Sequence, residues 1–419
     1  MGPLALMAKQ AGYEVCGSDL AKGAIYDELL QAGIEVKIGP QDGSFLKEKM
    51  EGGVDWFVYT SALEKDYPEL RMAEWAKLKC SKRDEFTAHL VEKLGLLMVA
   101  VAGTHGKTTT TAMIVWASLR LGLPVSYIVG TTLGFAPSGA YHKGDKFFVY
   151  EADEYDRNFL RYHPWLAVIT TVSYDHPDIY KTREDYVAAF RRFEKQSENA
   201  IGEVMLEEHL GRSGIKYHPE EFLLAGAARR KDASLAAEAV TQMIFEEAAL
   251  EGKLIDPNLA GVVDTLNEFP GVGRRFEKIR DGLYSDYAHH PEEIAATVEI
   301  AREEAEMYGK KGVVVVYQPH QNTRQHEVRA GYKNAFVGTE KVFWLPTYLS
   351  RENPDLPVLT PEDLILSLDN RGVAEPAEIS DALRAQIQKY LDDGFLVILM
   401  TAGPADAWIR REFGKAQES

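Results

Sequence analysis

Cysteine is scarce in this chain. Only Cys16 and Cys80 occur in 419 residues, far apart and with no further cysteine beside either. That excludes a disulfide framework and a cysteine-built metal centre. Long apolar runs are missing too: none approaches the roughly 18 residues a membrane span needs. The first residues also lack a basic n-region. Membrane insertion is therefore not expected, and the chain reads as cytoplasmic. Positive charge is in deficit, with 47 Lys+Arg against 64 Asp+Glu and a net charge of -17. A nucleic-acid or membrane-surface role needs a basic face, so neither is expected. An anionic substrate would need a local cluster, for which Lys107, Arg274, Arg275 and Arg324 stand out. Internal repeats and low-complexity tracts are absent. What remains is an ordinary globular composition, 45% hydrophobic and 26% charged. At this length two or three domains are expected.

The stretch 96–111, LLMVAVAGTHGKTTTT, organises the rest. An apolar run enters Gly103-Thr104-His105-Gly106-Lys107-Thr108-Thr109, and a helix-compatible segment follows. That is the strand–loop–helix plan of a phosphate-binding loop. Glycines let backbone N–H groups close round phosphate oxygens, and the helix N-terminus adds positive potential. Lys107 supplies charge, and the Thr108 hydroxyl can reach a magnesium ion. The full G-x-x-x-x-G-K-[ST] pattern is not met, because Val101 stands at its first glycine. Nucleotide binding by residues 103–109 is expected. Replacing Lys107 should stop ATP turnover and leave the fold intact.

Upstream, helix and strand patterns alternate: helix 3–11, strand 13–17 followed by Ser18-Asp19, helix 24–32, strand 34–38, helix 45–50. Strand 54–59 then closes on Thr60-Ser61-Ala62. In a dinucleotide-type fold this is the helix, second strand and ribose-side acid. A first strand and glycine loop are expected before it, where only Met1-Gly2 stand. Either the chain start is truncated or that strand has been lost. A first α/β domain is expected over 1–94.

Downstream come helix 108–121, strand 125–129 and strand 146–150, which delivers Glu151-Ala152-Asp153-Glu154-Tyr155-Asp156. Strand 166–172 delivers Tyr174-Asp175-His176-Pro177-Asp178. An acid just past an apolar strand, beside a phosphate loop, is a usual place for a magnesium ligand. Each cluster alone would pass for a solvated turn or a structural histidine. Two of them leaving two strands beside one loop favour a site. A helix over 185–198 follows, and 199–224 is uninformative. Arg229-Arg230-Lys231 precedes an alanine-rich helix over 233–249 and is unfavourable against its dipole. It is a solvated turn or a nucleotide contact. The central domain is expected over 95–268.

The last third, 269–419, opens on Gly271-Val272-Gly273-Arg274-Arg275-Phe276-Glu277, a turn suited to phosphate or carboxylate. Strand 283–286 leads to Tyr287-Ala288-His289-His290, and Pro291-Glu292-Glu293 begins a helix reaching 308. Strand 313–317 delivers Gln318-Pro319-His320-Gln321-Asn322-Thr323-Arg324. Strands 341–345 and 395–401, with helices between, complete a second doubly wound domain.

GTHGKTTTT, EADEYD, SYDHPD, GVGRRFE, SDYAHHPEEI and YQPHQNTR, in that order, resemble the landmarks of the Mur ligase family. The resemblance runs from Gly12 to about Thr401. It implies an α/β, three-domain architecture: a Rossmann-like UDP-sugar-binding domain with its first strand missing, a central P-loop ATPase domain and a Rossmann-like amino-acid-binding domain. It also implies ATP-dependent ligation through an acyl phosphate, in peptidoglycan synthesis, with ATP and Mg2+ as cofactors. The acceptor is UDP-N-acetylmuramate. The amine is L-alanine, or in the alternative a short peptide. A third possibility is a degenerate member that binds nucleotide without ligating.

By resemblance, Gly103 through Thr109 hold the ATP phosphates, with Lys107, Glu151 and His176 catalytic. Thr108, Glu151 and His176 are the implied metal ligands. Arg275 and Asp286 fall to the nucleotide, Ser18, Asp19 and Ser61 to the UDP-sugar, and Tyr287, His289 and Arg324 to the amine. Residues 199–224 are shorter than the family's corresponding stretch, and Arg230-Lys231 replaces a His-Asn pair. Gln321 stands where alanine-adding members have a first arginine, and Asn322-Thr323 is similar to a peptide-joining member.

Overall fold

Among the described residues, two six-stranded sheets organise the chain. The computed structural model describes residues 1–23, 25–60, 63–176, 179–202, 216–253, 261–350 and 352–414. These divide into two compact units, Met1–Phe222 with Asp232–Pro270, and Leu223–Lys231 with Gly271–Ser419.

The first unit begins with α1 (Gly2–Gln10), β1 (Cys16–Asp19), α2 (Tyr26–Gln31), β2 (Glu35–Ile38), α3 (Ser44–Glu51) and β3 (Trp56–Tyr59). Then come α4 (Pro68–Trp75), β4 (Lys79–Lys82) and α5 (Arg83–Leu94). Strands β1 and β2 pair in parallel, as do β3 and β4, in two separate two-stranded sheets. Strand β1 starts three residues later than its apolar pattern suggests. The ladder with β2 carries Ser18 opposite Lys37 and Asp19 opposite Ile38, so these two polar residues end the strand rather than follow it.

The unit continues with β5 (Leu97–Ala102), α6 (Lys107–Leu121), β6 (Val125–Ile128), β7 (Gly139–Ala140), β8 (Phe147–Glu151), β9 (Leu166–Ile169), α7 (Arg183–Lys195) and β10 (Asn199–Gly202). Helices α8 (Ala227–Glu251) and α9 (Val262–Asn267) follow in the chain. The sheet order is β10-β9-β5-β8-β6-β7, all parallel except β7. Strand β5 sits centrally with Val99 through Ala102 fully buried, which is why it reads as a continuous apolar run. On one face Met98, Ala100, Phe148, Tyr150 and Ala167 pack against Phe86, Leu90, Phe190 and Phe193 of α5 and α7.

In the second unit lie β11 (Glu277–Arg280), β12 (Leu283–Asp286), α10 (Pro291–Met307), β13 (Val313–Gln318), α11 (Asn322–Val328), β14 (Lys341–Trp344), α12 (Pro361–Ile365), β15 (Ala374–Pro376), α13 (Asp381–Asp392), β16 (Leu396–Thr401) and α14 (Ala405–Phe413). The order is β11-β12-β16-β13-β14-β15, with β11 antiparallel and the rest parallel. Val313 and Val315 face α10, whereas Val314 and Val316 face α13 and α14. Helices thus cover both faces of an α/β sheet, and strand-end loops gather at its carboxyl edge.

Arg229, Arg230 and Lys231 lie inside the first turns of α8, not before it. Arg230 pairs with Glu303 on α10 and donates to the Leu224 carbonyl at 3.0 Å. It is therefore not a solvated turn, and the Arg230 guanidinium is already engaged. Among the described residues, no helix is long and apolar enough to cross a membrane.

Candidate functional site

Strand β5 ends at Ala102, and the loop to α6 turns back on itself at two glycines. Gly103 has φ +143°, and a Cβ there would lie 2.1 Å from Thr170 Oγ1. Gly106 has φ +81°, with Asp232 Oδ1 2.5 Å from where its Cβ would stand. Only glycine satisfies both conditions at either position. The residues after β9 pin the loop. Thr104 N donates to Thr171 O at 2.9 Å, Thr104 Oγ1 to Ser173 O at 2.7 Å, and His105 N to Thr171 Oγ1 at 2.9 Å. This explains why β9 stops at Ile169, short of the expected 172: the side chains of Thr170 and Thr171 are turned to hold the phosphate loop.

Lys107 opens α6. Its Nζ donates to Gly103 O at 2.5 Å and Thr104 O at 3.2 Å, and pairs with Glu154 at 2.9 Å. Burial works against the ammonium, but Glu154, Glu151 and Asp153 outweigh it, and the Lys107 pKa is held above its ordinary value. The lysine is therefore charged. Thr108 Oγ1 sits 3.0 Å from both oxygens of Glu151, which terminates β8. A hydroxyl and a carboxylate in contact are oxygen donors of the kind magnesium takes.

Glu154 is 1% exposed, and the sequence did not single it out from its acidic run. Burial pushes its carboxyl up, yet Lys107 and the His176 hydrogen bond bring it below the usual range. His176 Nε2 lies 3.5 Å from Glu154 and 3.7 Å from Asp175. The histidine thus stands behind Glu154, and Glu151 stands against Thr108. Asp156 and Arg157, at φ 52° and 55°, hold left-handed backbone without being glycine. Lys82 pairs with Asp156 at 3.0 Å and Arg157 with Asp185 at 2.7 Å, closing the strained turn from both sides. No sequence pattern signals that turn.

Ser18 and Asp19 lie at the end of β1. Ser18 Oγ donates to Glu69 at 2.7 Å and accepts from Gln41 Nε2 at 2.8 Å. Tyr67 OH donates to Gln41 Oε1 at 2.6 Å. Asp19 is exposed. Ser61 lies outside the described residues.

In the second unit, Asp286 is buried and accepts from the Phe276 and Ala288 amides, each at 2.7 Å, and from Thr297 Oγ1 at 3.4 Å. It ties the GVGRRF turn to the loop after β12. Burial raises its pKa against Arg275 and these amides. Tyr287 carries two guanidiniums on its ring, Arg274 at 4.6 Å and Arg275 at 5.3 Å. Arg274 also donates to Thr401 O at 2.6 Å. The guanidiniums of Arg275 and Arg324, both residues half-buried, make no hydrogen bond or ion pair among the described residues. Burial first, then the charges of Arg324 and Arg275, lower the His289 pKa against Glu293. An imidazole in the field of two guanidiniums that have no hydrogen-bonded side-chain partner among the described residues suits a carboxylate or phosphate.

Asn322 and Thr323 are spent internally. Asn322 bonds Pro357 O at 3.1 Å and the Leu359 amide at 2.9 Å, and Glu352 accepts from the Thr323 amide at 3.0 Å. Gln321 sits at φ 63° with its amide donating to Tyr348 O at 2.9 Å.

Comparisons with known proteins give the family. The family described as "Mur ligase middle domain" matches residues 101–249, and "Mur ligase family, catalytic domain" matches residues 1–93. A UDP-N-acetylmuramate–L-alanine ligase of Mycobacterium marinum is 32% identical, covering 84% of this chain and 80% of that one. A Carboxydothermus hydrogenoformans enzyme of the same name is 30% identical, covering 99% and 94%. Among solved structures, UDP-N-acetylmuramate-alanine ligase from Thermotoga maritima superposes with a TM-score of 0.75 at 22% identity, covering 100% and 96%. A murein peptide ligase from Psychrobacter arcticus gives 0.60 at 19% identity, covering 100% and 97%.

Proposed function

Because this chain belongs to the Mur ligase family, we propose that it is an ATP-dependent UDP-N-acetylmuramate–L-alanine ligase of peptidoglycan synthesis. The lactyl carboxylate of UDP-N-acetylmuramate takes the γ-phosphoryl group of ATP, and the amine of L-alanine displaces phosphate to form the amide. The observation that carries this reading is the first unit's phosphate loop, whose Lys107 and Thr108 each meet a strand-delivered carboxylate. Such a site asks for charge neutralisation and positioning rather than covalent catalysis.

Gly103 through Thr109 wrap the ATP phosphates with backbone amides, and Lys107 trades Glu154 for phosphate oxygens. Thr108 and Glu151 would hold Mg2+, which neutralises phosphate charge when bound. His176 orients Glu154 and, through it, Lys107. Ser18, Asp19 and Ser61 serve the UDP-sugar. In the second unit, Arg275 serves the nucleotide while Asp286 shapes its loop, and Tyr287, His289 and Arg324 receive the amino acid. Segments 1–94, 95–268 and 269–419 divide these tasks in three. Both ATP and the UDP-sugar are soluble, which fits action in the cytoplasm.

Two measurements test this. ADP release should require UDP-N-acetylmuramate and L-alanine together; release with a tripeptide but not with L-alanine would overturn the choice of amine. Arg324→Ala should raise the KM for L-alanine roughly ten- to hundredfold, the loss of one charge-assisted bond of about 1.5–3 kcal/mol, and leave the ATP KM nearly unchanged. An unchanged amine KM would place the carboxylate elsewhere.

A further inference from the structure

A buried polar relay connects two loops of the second unit. Gln325 lies on α11, Tyr332 in the short turn after it, and Tyr317 near the end of β13; all three are 0% exposed. Gln325 Nε2 donates to the His320 carbonyl at 3.0 Å, which leaves Oε1 to accept the Tyr332 hydroxyl at 2.5 Å. Tyr332 thereby spends its proton, so its oxygen is the acceptor for Tyr317 OH at 2.7 Å, and the single Tyr317 proton is shared with the His289 carbonyl at 3.3 Å as the longer branch of a bifurcated bond. One direction of donation gives the side-chain amide and both hydroxyls a partner. The carbonyls at its two ends belong to His289 and His320, whose rings meet edge to face at 6.1 Å and 90°. Beyond them His320 stacks on Tyr348 at 5.7 Å.

We propose that Gln325, Tyr332 and Tyr317 are positioning residues: they set the separation of the His289 and His320 loops and so the fit of the amine substrate. This rests on the reading of these loops as the amine site. Leucine and phenylalanine would fill the same core volume without burying an amide and two hydroxyls, a burial that is costly unless each group is bonded. Apolar side chains could not grip two backbone carbonyls. A hydrogen-bonded buried network specifies one geometry where an apolar core tolerates several. The rings facing the ligand are thus held through their own backbone, from the dry side.

The test uses the full chain carrying Tyr332→Phe, Gln325→Met and both together, with KM for L-alanine, ATP and UDP-N-acetylmuramate measured beside thermal stability. Each single change should raise the L-alanine KM about five- to fiftyfold, because near-attack geometry is sensitive to small displacements. The ATP and UDP-sugar KM values should stay within about twofold. The double variant should be no worse than the poorer single one, since both cut one relay. Lowered stability with the amine KM unchanged would overturn the proposal and leave a merely structural network. Should Gln325→Met fail to fold, Tyr317→Phe, which removes one hydroxyl and keeps the ring, takes its place with the same expectations. If the parent ignores L-alanine and uses L-alanyl-γ-D-glutamyl-meso-diaminopimelate, the amine assignment fails alone. The same variants must then raise the tripeptide's KM, and an unchanged value there overturns the relay.

Discussion

Glu151 and His176 lie near one loop, yet the structure gives them different neighbours. Glu151 touches the Thr108 hydroxyl with both oxygens, whereas His176 reaches Glu154 and Asp175. Their variants should therefore differ. Glu151→Gln removes an anionic oxygen where magnesium would sit and should raise the magnesium concentration for half-maximal ADP release about tenfold. His176→Ala should lower kcat with a much smaller change in that midpoint, because it loosens Glu154 and Lys107 instead. Magnesium titrations of both variants decide this. Equal midpoint shifts would return His176 to the metal.

At the scale of elements, the β5–α6 turn depends on glycine for two reasons acting together. Gly103→Ala would place a methyl 2.1 Å from Thr170 Oγ1 on a backbone with φ +143°. A left-handed strain and a clash with the loop's own anchor should together cost about 1–3 kcal/mol. Gly95, the C-cap of α5, also has positive φ (+66°) but nothing within 4 Å of its would-be Cβ. Gly95→Ala should cost only about 1 kcal/mol, the conformational term alone. Denaturant midpoints at unchanged m compare the two. Equal losses would mean that the Thr170 contact contributes nothing.

At the scale of the whole molecule, binding and stability are linked. ADP with magnesium at about one hundred times its Kd should stabilise the protein by about 2.7 kcal/mol. With two compact units, the transition of the first should carry the shift. Lys107→Ala should abolish it. It should also lower the ligand-free midpoint while leaving the fold intact, because Glu154 at 1% exposure would lose its cationic partner. A full nucleotide shift in that variant would sink the phosphate-loop assignment.

Much of this was legible in one dimension. Parallel strands buried on both faces appear as unbroken apolar runs, so β5, β12, β13 and β16 were read nearly to the residue. The phosphate loop declares itself because its chemistry is local: glycines, lysine and threonine act within seven consecutive residues. By the same logic α4 and β4, short and mixed in composition, escaped notice, and the basic triplet was misplaced, because its partner Glu303 lies 73 residues away. Which acid meets Lys107 could not be read from EADEYD, since nothing in composition separates its four carboxylates. Only the strained turn at Asp156 and Arg157, locked by Lys82 and Asp185, singles out Glu154. The relay from Gln325 to Tyr317 was likewise invisible, because hydrogen bonds between buried side chains leave no periodicity. What the amino-acid order alone determined is the set of elements and the local loop chemistry. Which charges meet, and which are left for a ligand, was decided by tertiary packing, because pairing depends on distance in space and not along the chain.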